Sequence, residues 1–179
     1  FRQNDLKNNG QGAPLTPIFH QQIVRNISDN WWPVLVLNIG GISNLTSTSI
    51  ISESLSDNNN LDLELKLFAG DIAPGNCLID EWIRKNSKYK YDQDGLIAKS
   101  GKVNELILNQ ALENYLSENT YKFSPLKSLD IKDFDISFVR GLSLEDGAAT
   151  LTYLTARLIS EGIIQFMLKN YLCLLYTSP

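Results

Sequence analysis

The sequence predicts an α/β fold, on three observations. Val34-Leu35-Val36-Leu37-Asn38-Ile39 is an almost unbroken aliphatic run, the pattern of a strand buried on both faces. Leu61, Leu63, Leu65 and Leu67 alternate with Asp62, Glu64 and Lys66, the period of a strand with one wet face. Behind Pro74 and again behind Ser143, apolar residues recur at helical spacing.

Composition narrows the class. The chain has 179 residues, 43% hydrophobic and 20% charged, as expected of a globular domain with a sizeable core. A net charge of −4 and the lack of a basic run with interleaved aromatics argue against a nucleic-acid surface. Cys77 and Cys173 make no disulfide framework and lack metal-site spacing, and the single histidine, His20, excludes a multi-histidine centre. No apolar run approaches the ~18 residues of a membrane span. Phe1-Arg2-Gln3-Asn4-Asp5 is too polar for a secretory leader, so the expected location is cytoplasmic, without membrane partners. With no initiator Met and Met167 alone, the chain reads as an internal piece of a longer protein.

In chain order, Gly10, Gly12, Pro14 and Pro17 predict an ordered turn, and a short helix is expected from Pro17 to about Asn26. After the first strand, Gly40-Gly41 and a second strand from Ile42 to Ile51 make a hairpin. Its turn carries Asn38, Ser43 and Asn44 beside glycines that let a backbone approach a ligand closely, although most such hairpins bind nothing. Residues 52–60 read as a polar loop.

The third strand delivers Asp71 to a tight turn, with Pro74 suited to the first helical position. Leu78, Ile79, Trp82 and Ile83 form the buried stripe of the helix that follows. Asp71 thus stands before the free N–H groups of a helix start, which favour anions, phosphate among them. Taken alone, an Asp there most often caps the helix.

Tyr91-Asp92-Gln93-Asp94-Gly95 is read as a turn, because Val103 stands where a calcium loop needs a bidentate Glu. Residues 102–117 are expected to be helical, with Val103, Leu106, Ile107, Ala111 and Leu112 on the buried face. Residues 119–137 are mixed and interrupted by Pro125. In the last helix, Ser143 and Asp146 approximate a capping box, and Ala148, Leu151, Tyr153, Leu154, Leu158, Ile159 and Ile163 hold a stripe to about Leu168. Gly147, Ala148 and Ala149 would let that helix lie close to the sheet. The closing Cys-Leu-Leu-Tyr-Thr-Ser-Pro is set apart, as residues 171–179, for its likeness to translated adapter sequence.

Four blocks in register carry a resemblance. They are Phe1-Arg2 with Gly10-Gln11-Gly12-Ala13-Pro14-Leu15 and Phe19-His20, then Leu37-Asn38-Ile39-Gly40-Gly41-Ile42-Ser43-Asn44-Leu45. The third is Asp71 with Pro74-Gly75-Asn76, Asp80 and Trp82, and the fourth is Leu144-Glu145-Asp146-Gly147-Ala148-Ala149-Thr150-Leu151-Thr152. With these, the chain resembles the anhydro-N-acetylmuramic acid kinases, within the hexokinase, actin and Hsp70 superfamily.

The resemblance implies a ribonuclease-H-like (actin-like ATPase) domain. Residues 34–170 would be most of the second lobe of a two-lobe sugar kinase, and residues 1–33 the loop and helix ending the first. It implies ATP and Mg²⁺, and conversion of 1,6-anhydro-N-acetylmuramic acid to N-acetylmuramic acid 6-phosphate in peptidoglycan recycling. Asp71 would be the general base for water, and Asn38, Gly40 and Gly41 would lie on the phosphate side. Gln11, Gly12 and Pro14 would border the sugar, while Asn76 would touch it or, with Asp80, orient the turn holding Asp71. A homodimer is open.

The chain departs from the family at two places. The usual Asp-Thr-Gly-Pro-Gly-Asn reads Asp71-Ile72-Ala73-Pro74-Gly75-Asn76, and Lys-Ser-Thr-Gly-Arg-Glu survives only as Lys127-Ser128 before Leu129-Asp130-Ile131. The departures keep two alternatives open, a related kinase for another amino sugar and a catalytically dead binding module. The N-terminal phosphate loop and adenine motif would lie beyond the two ends, and no kinase activity is expected of the 179 residues alone.

Overall fold

The computed structural model describes residues 17–24, 33–55, 61–117 and 129–168, with side chains omitted at 17–18, 21, 49–55 and 61–66. Helix α1 (Pro17–Val24) precedes three strands, β1 (Val34–Ile39), β2 (Ile42–Leu55) and β3 (Leu61–Pro74). Four helices follow: α2 (Cys77–Asn86), α3 (Leu96–Ser100), α4 (Glu105–Ser117) and α5 (Leu144–Met167). The strands form one sheet in the order β1-β2-β3, so the fold is α/β with a small antiparallel sheet. Expectations about Pro125, Lys127, Ser128, Cys173 and residues 171–179 lie outside the described residues.

Two expectations about the strands are corrected. No β1 residue is fully buried, and Leu37 and Ile39 are 37% and 50% exposed. The sheet order explains this, because β1 is an edge while β2 lies between two neighbours. Central burial falls instead on Ser43, Leu45, Thr46, Ser47 and Thr48 of β2. Residues 52–55, expected in a polar loop, instead belong to β2, which continues to Leu55.

The chain divides into two compact units. Among the described residues the first contains 17–38, 44–55 and 61–70, less the undescribed stretch between α1 and Pro33. Within it, Val24 is buried and His20 Nδ1 lies 3.0 Å from Thr46 Oγ1, tying α1 to β2.

The second unit, 39–43, 71–117 and 129–168, is built around α5. Ala148, Leu151, Leu154, Leu158, Ile159 and Phe166 line its buried face, and α2, α3 and α4 pack on it. Each fully buried Leu there contributes about 1.5–3 kcal/mol. Tyr153, expected in that stripe, is 45% exposed. Helix α4 starts at Glu105, with the Asn104 side chain accepting from Ile107 N–H at 3.1 Å. Its buried face is therefore Leu108, Ala111 and Leu112, and Leu106 is 84% exposed rather than inside.

Small residues of α5 act differently from expectation. A Cβ on Gly147 would fall inside the Trp82 indole of α2, whose Nε1 donates to the Leu144 carbonyl at 2.9 Å. Close approach to β3 occurs at Gly162 instead, where a Cβ would meet the Ile72 carbonyl. Ser143 caps α5 by accepting from Asp146 N–H at 3.0 Å. The box is only half made, because the Asp146 carboxylate accepts from Lys102 N–H at 2.7 Å.

Candidate active site at the end of strand β3

Strand β3 does not stop at Asp71. It runs through Ile72, Ala73 and Pro74, and α2 begins only at Cys77. Pro74 is the last residue of an edge strand, a place where its missing N–H leaves no ladder bond unmade. Asp71 is therefore neither in a tight turn nor a helix cap. Its half-buried carboxylate takes a hydrogen bond from a distant segment, with Leu129 N–H donating to Oδ2 at 3.0 Å.

The anion site expected at the start of α2 is partly taken up by the protein itself. Gly75 N–H and Cys77 N–H donate to the Gly41 carbonyl at 2.9 and 3.2 Å, and Asn76 N–H donates to the Gly40 carbonyl at 2.8 Å. Ser43 Oγ adds a bond to the Pro74 carbonyl at 3.2 Å. Carbonyl dipoles of the Gly40-Gly41 turn thus occupy the Gly75, Asn76 and Cys77 amides. This closeness dictates glycine at position 75, where a Cβ would strike the Gly40 carbonyl and crowd Ser43 Oγ. At Gly41 a Cβ would meet nothing within 4 Å.

Among the other expected site residues, Asn38 is exposed on β1. Asn76 precedes α2 without making a side-chain cap bond. Asn76 and Asp80 share a cavity of about 350 Å³ with Ile79, Tyr91, Asp92 and Thr152, and Asp71 does not line it. The corner next to Asp71 is held by Ser43 and the Gly40-Gly41 backbone. Burial raises the Asp80 carboxyl above the usual range, opposed by Arg84 at 3.9 Å. Burial likewise pushes the Cys77 thiol up, away from thiolate chemistry. Gln11, Gly12 and Pro14 lie outside the described residues.

Residues 91–95 form a turn whose Asp92 carboxylate accepts from Ile97 and Ala98 N–H at 2.8 and 2.9 Å, starting α3. Among the described residues, no three His, Cys, Asp or Glu side chains gather to hold a metal ion. No helix among them is long and apolar enough to cross a membrane.

Leu129 was missed as a site residue. The available signal was Asp130-Ile131-Lys132-Asp133, a capping-box spacing that fixes a turn right behind that amide.

A carboxylate near the end of a strand, ahead of a glycine-clasped corner and a helix, defines an α/β domain with a single-carboxylate candidate site. The sequence profile of the anhydro-N-acetylmuramic acid kinases matches residues 1–175, and the chain belongs to that family. It is similar to the anhydro-N-acetylmuramic acid kinase of Pelagibacter ubique, 47% identical over 165 residues, covering 92% of this chain and 40% of the relative. The corresponding kinase of Zymomonas mobilis is 37% identical over 166 residues, covering 93% and 40%. That of Legionella pneumophila is 35% identical over 182 residues, covering 97% and 44%. The chain thus spans about two-fifths of these relatives' length.

Proposed function

We propose that this chain carries the water-activating carboxylate of an ATP-dependent kinase acting on 1,6-anhydro-N-acetylmuramic acid. The observation that carries the reading is the Asp71 carboxylate, half-buried at the end of β3 and oriented by Leu129 N–H, in a chain of this family. Asp71 takes a proton from water as its oxygen bonds to the anomeric carbon. The C1–O6 bond breaks, O6 bonds to the γ-phosphorus, and the bond from that phosphorus to ADP breaks. The product is N-acetylmuramic acid 6-phosphate.

Gly41 serves the phosphate side. Its carbonyl accepts from Gly75 and Cys77 N–H, a Cβ there would meet nothing within 4 Å among the described residues, and glycine leaves that backbone open to close approach by a ligand. Gly40 and Asn38 flank it, and Gln11, Gly12, Pro14 and Asn76 belong to the sugar side. Mg²⁺ would be carried on the phosphates of the nucleotide and would neutralise their charge. We assign residues 34–170 to a ribonuclease-H-like second lobe and residues 1–33 to the end of the first. The location is cytoplasmic, where the ATP is.

Ile72 and Ala73, the departures beside the base, are 4% and 0% exposed. Their side chains face the interior, which supports the anhydro sugar over a different one. The test exchanges this chain for the matching segment of the Pelagibacter ubique relative and supplies ATP, the anhydro sugar and heavy-oxygen water. The expected product is the 6-phosphate with solvent oxygen at the anomeric carbon. Phosphorylation of unbridged amino sugars alone would point to a related kinase, and sugar binding without turnover to a binding module.

A further inference from the structure

We propose that the Asp130–Asp133 turn, latched to α4 through Tyr115, is a positioning device for the Asp71 carboxylate; the proposal rests on the reading of Asp71 as the base. Asp71 sits on β3, while its Leu129 donor belongs to a segment that would otherwise be free to shift. Three layers of contact prevent that shift.

The first is the turn itself. Asp133 Oδ2 accepts from Asp130 N–H at 2.9 Å, and Asp130 Oδ1 accepts from Lys132 N–H at 3.2 Å, completing a reciprocal capping box. Backbone bonds from Asp133 N–H to the Asp130 carbonyl at 3.0 Å and from Phe134 N–H to the Ile131 carbonyl at 3.2 Å close it. Two successive amides, Leu129 and Asp130, thus each face a carboxylate, and fixing the second fixes the peptide plane that carries the first.

The second layer is the latch. Tyr115 Oη donates to the Asp135 carbonyl at 2.9 Å and accepts from Asp135 N–H at 3.2 Å. The third is packing, with Phe134 buried and its ring 6.0 Å from that of Tyr115, and with Ile136 and Val139 in the core. The orientation of Asp71 is therefore tied to a helix remote in sequence.

The test uses Asp133→Ala and Asp133→Asn. Both remove the charge, but only Ala removes the acceptor for Asp130 N–H. In this chain, Leu129 amide exchange followed by NMR is expected to speed up about tenfold in Asp133→Ala, the loss of one charge-assisted bond, and to stay near wild type in Asp133→Asn. In the exchanged Pelagibacter ubique enzyme, Asp133→Ala is expected to lower kcat about tenfold or more with KM unchanged, and Asp133→Asn to restore it. Should Asp133→Ala fail to fold, Tyr115→Phe, which removes only the latch hydroxyl, is expected to shift both readouts the same way by a smaller factor. Unchanged exchange and kcat in Asp133→Ala, or equal losses in Ala and Asn, would overturn the proposal. A fully active Asp71→Asn enzyme would instead strike the reading of Asp71 as base and leave the exchange result standing.

Discussion

A side chain at Gly75 would have to share space with the Gly40 carbonyl, whereas one at Gly41 would meet only open space. Gly75→Ala is therefore expected to destabilise by about 3 kcal/mol, the upper end for overpacking against backbone, and to lower Tm. Gly41→Ala is expected to leave Tm unchanged and raise KM for ATP in the exchanged enzyme. Asp135 offers a third check. The Ser137 hydroxyl, with smaller help from the Ser137 and Ile136 amides and from Arg140, holds its carboxyl below the usual carboxylate range. A depressed folded-state value gives stability that is present above the unfolded value, 3.8, and is lost as pH falls through the folded one. Tm should drop across that acid window, and Ser137→Ala should flatten the drop.

Between elements, α2 meets α5 at close range. Trp82 fills the space above Gly147 and donates to Leu144. Trp82→Phe is expected to cost about 1–3 kcal/mol by lost bond and volume, and Gly147→Ala a similar amount by collision with the indole. Among the described residues the buried hydroxyl of Thr155 in α5 has no partner, so Thr155→Val should raise Tm slightly. Thermal melts separate Thr155→Val, which raises Tm, from the other two, which lower it. The existence of α1, α5 and the strands was legible, because apolar periodicity reports which face is buried. Strand ends were not. Ser52–Leu55 look polar enough for a loop yet extend β2, and Pro74 suits a helix start yet closes an edge strand. Pairing decides both, and pairing depends on residues far away in the chain.

Across the whole chain, the candidate site was legible as residues but not as geometry. Asp71, Gly40 and Gly41 stand out by type and spacing, and the family profile matches the stretch that contains them. What holds them is backbone. The carbonyls of Gly40 and Gly41 take the Gly75, Asn76 and Cys77 amides, and the Leu129 amide reaches Asp71 from 58 residues away. Backbone groups are common to every residue, so no side-chain pattern announces them. Gly75, by contrast, was visible in the sequence and needed only the Gly40 carbonyl to explain it. The central claim is that Asp71 removes the proton from the attacking water. The most direct measurement is kcat of Asp71→Asn in the Pelagibacter ubique relative carrying this chain, with ATP and the anhydro sugar. The account predicts a fall of about 10²–10⁴-fold with KM for both substrates and Tm little changed. An Asp71→Asn enzyme that turns over at the wild-type rate would contradict it.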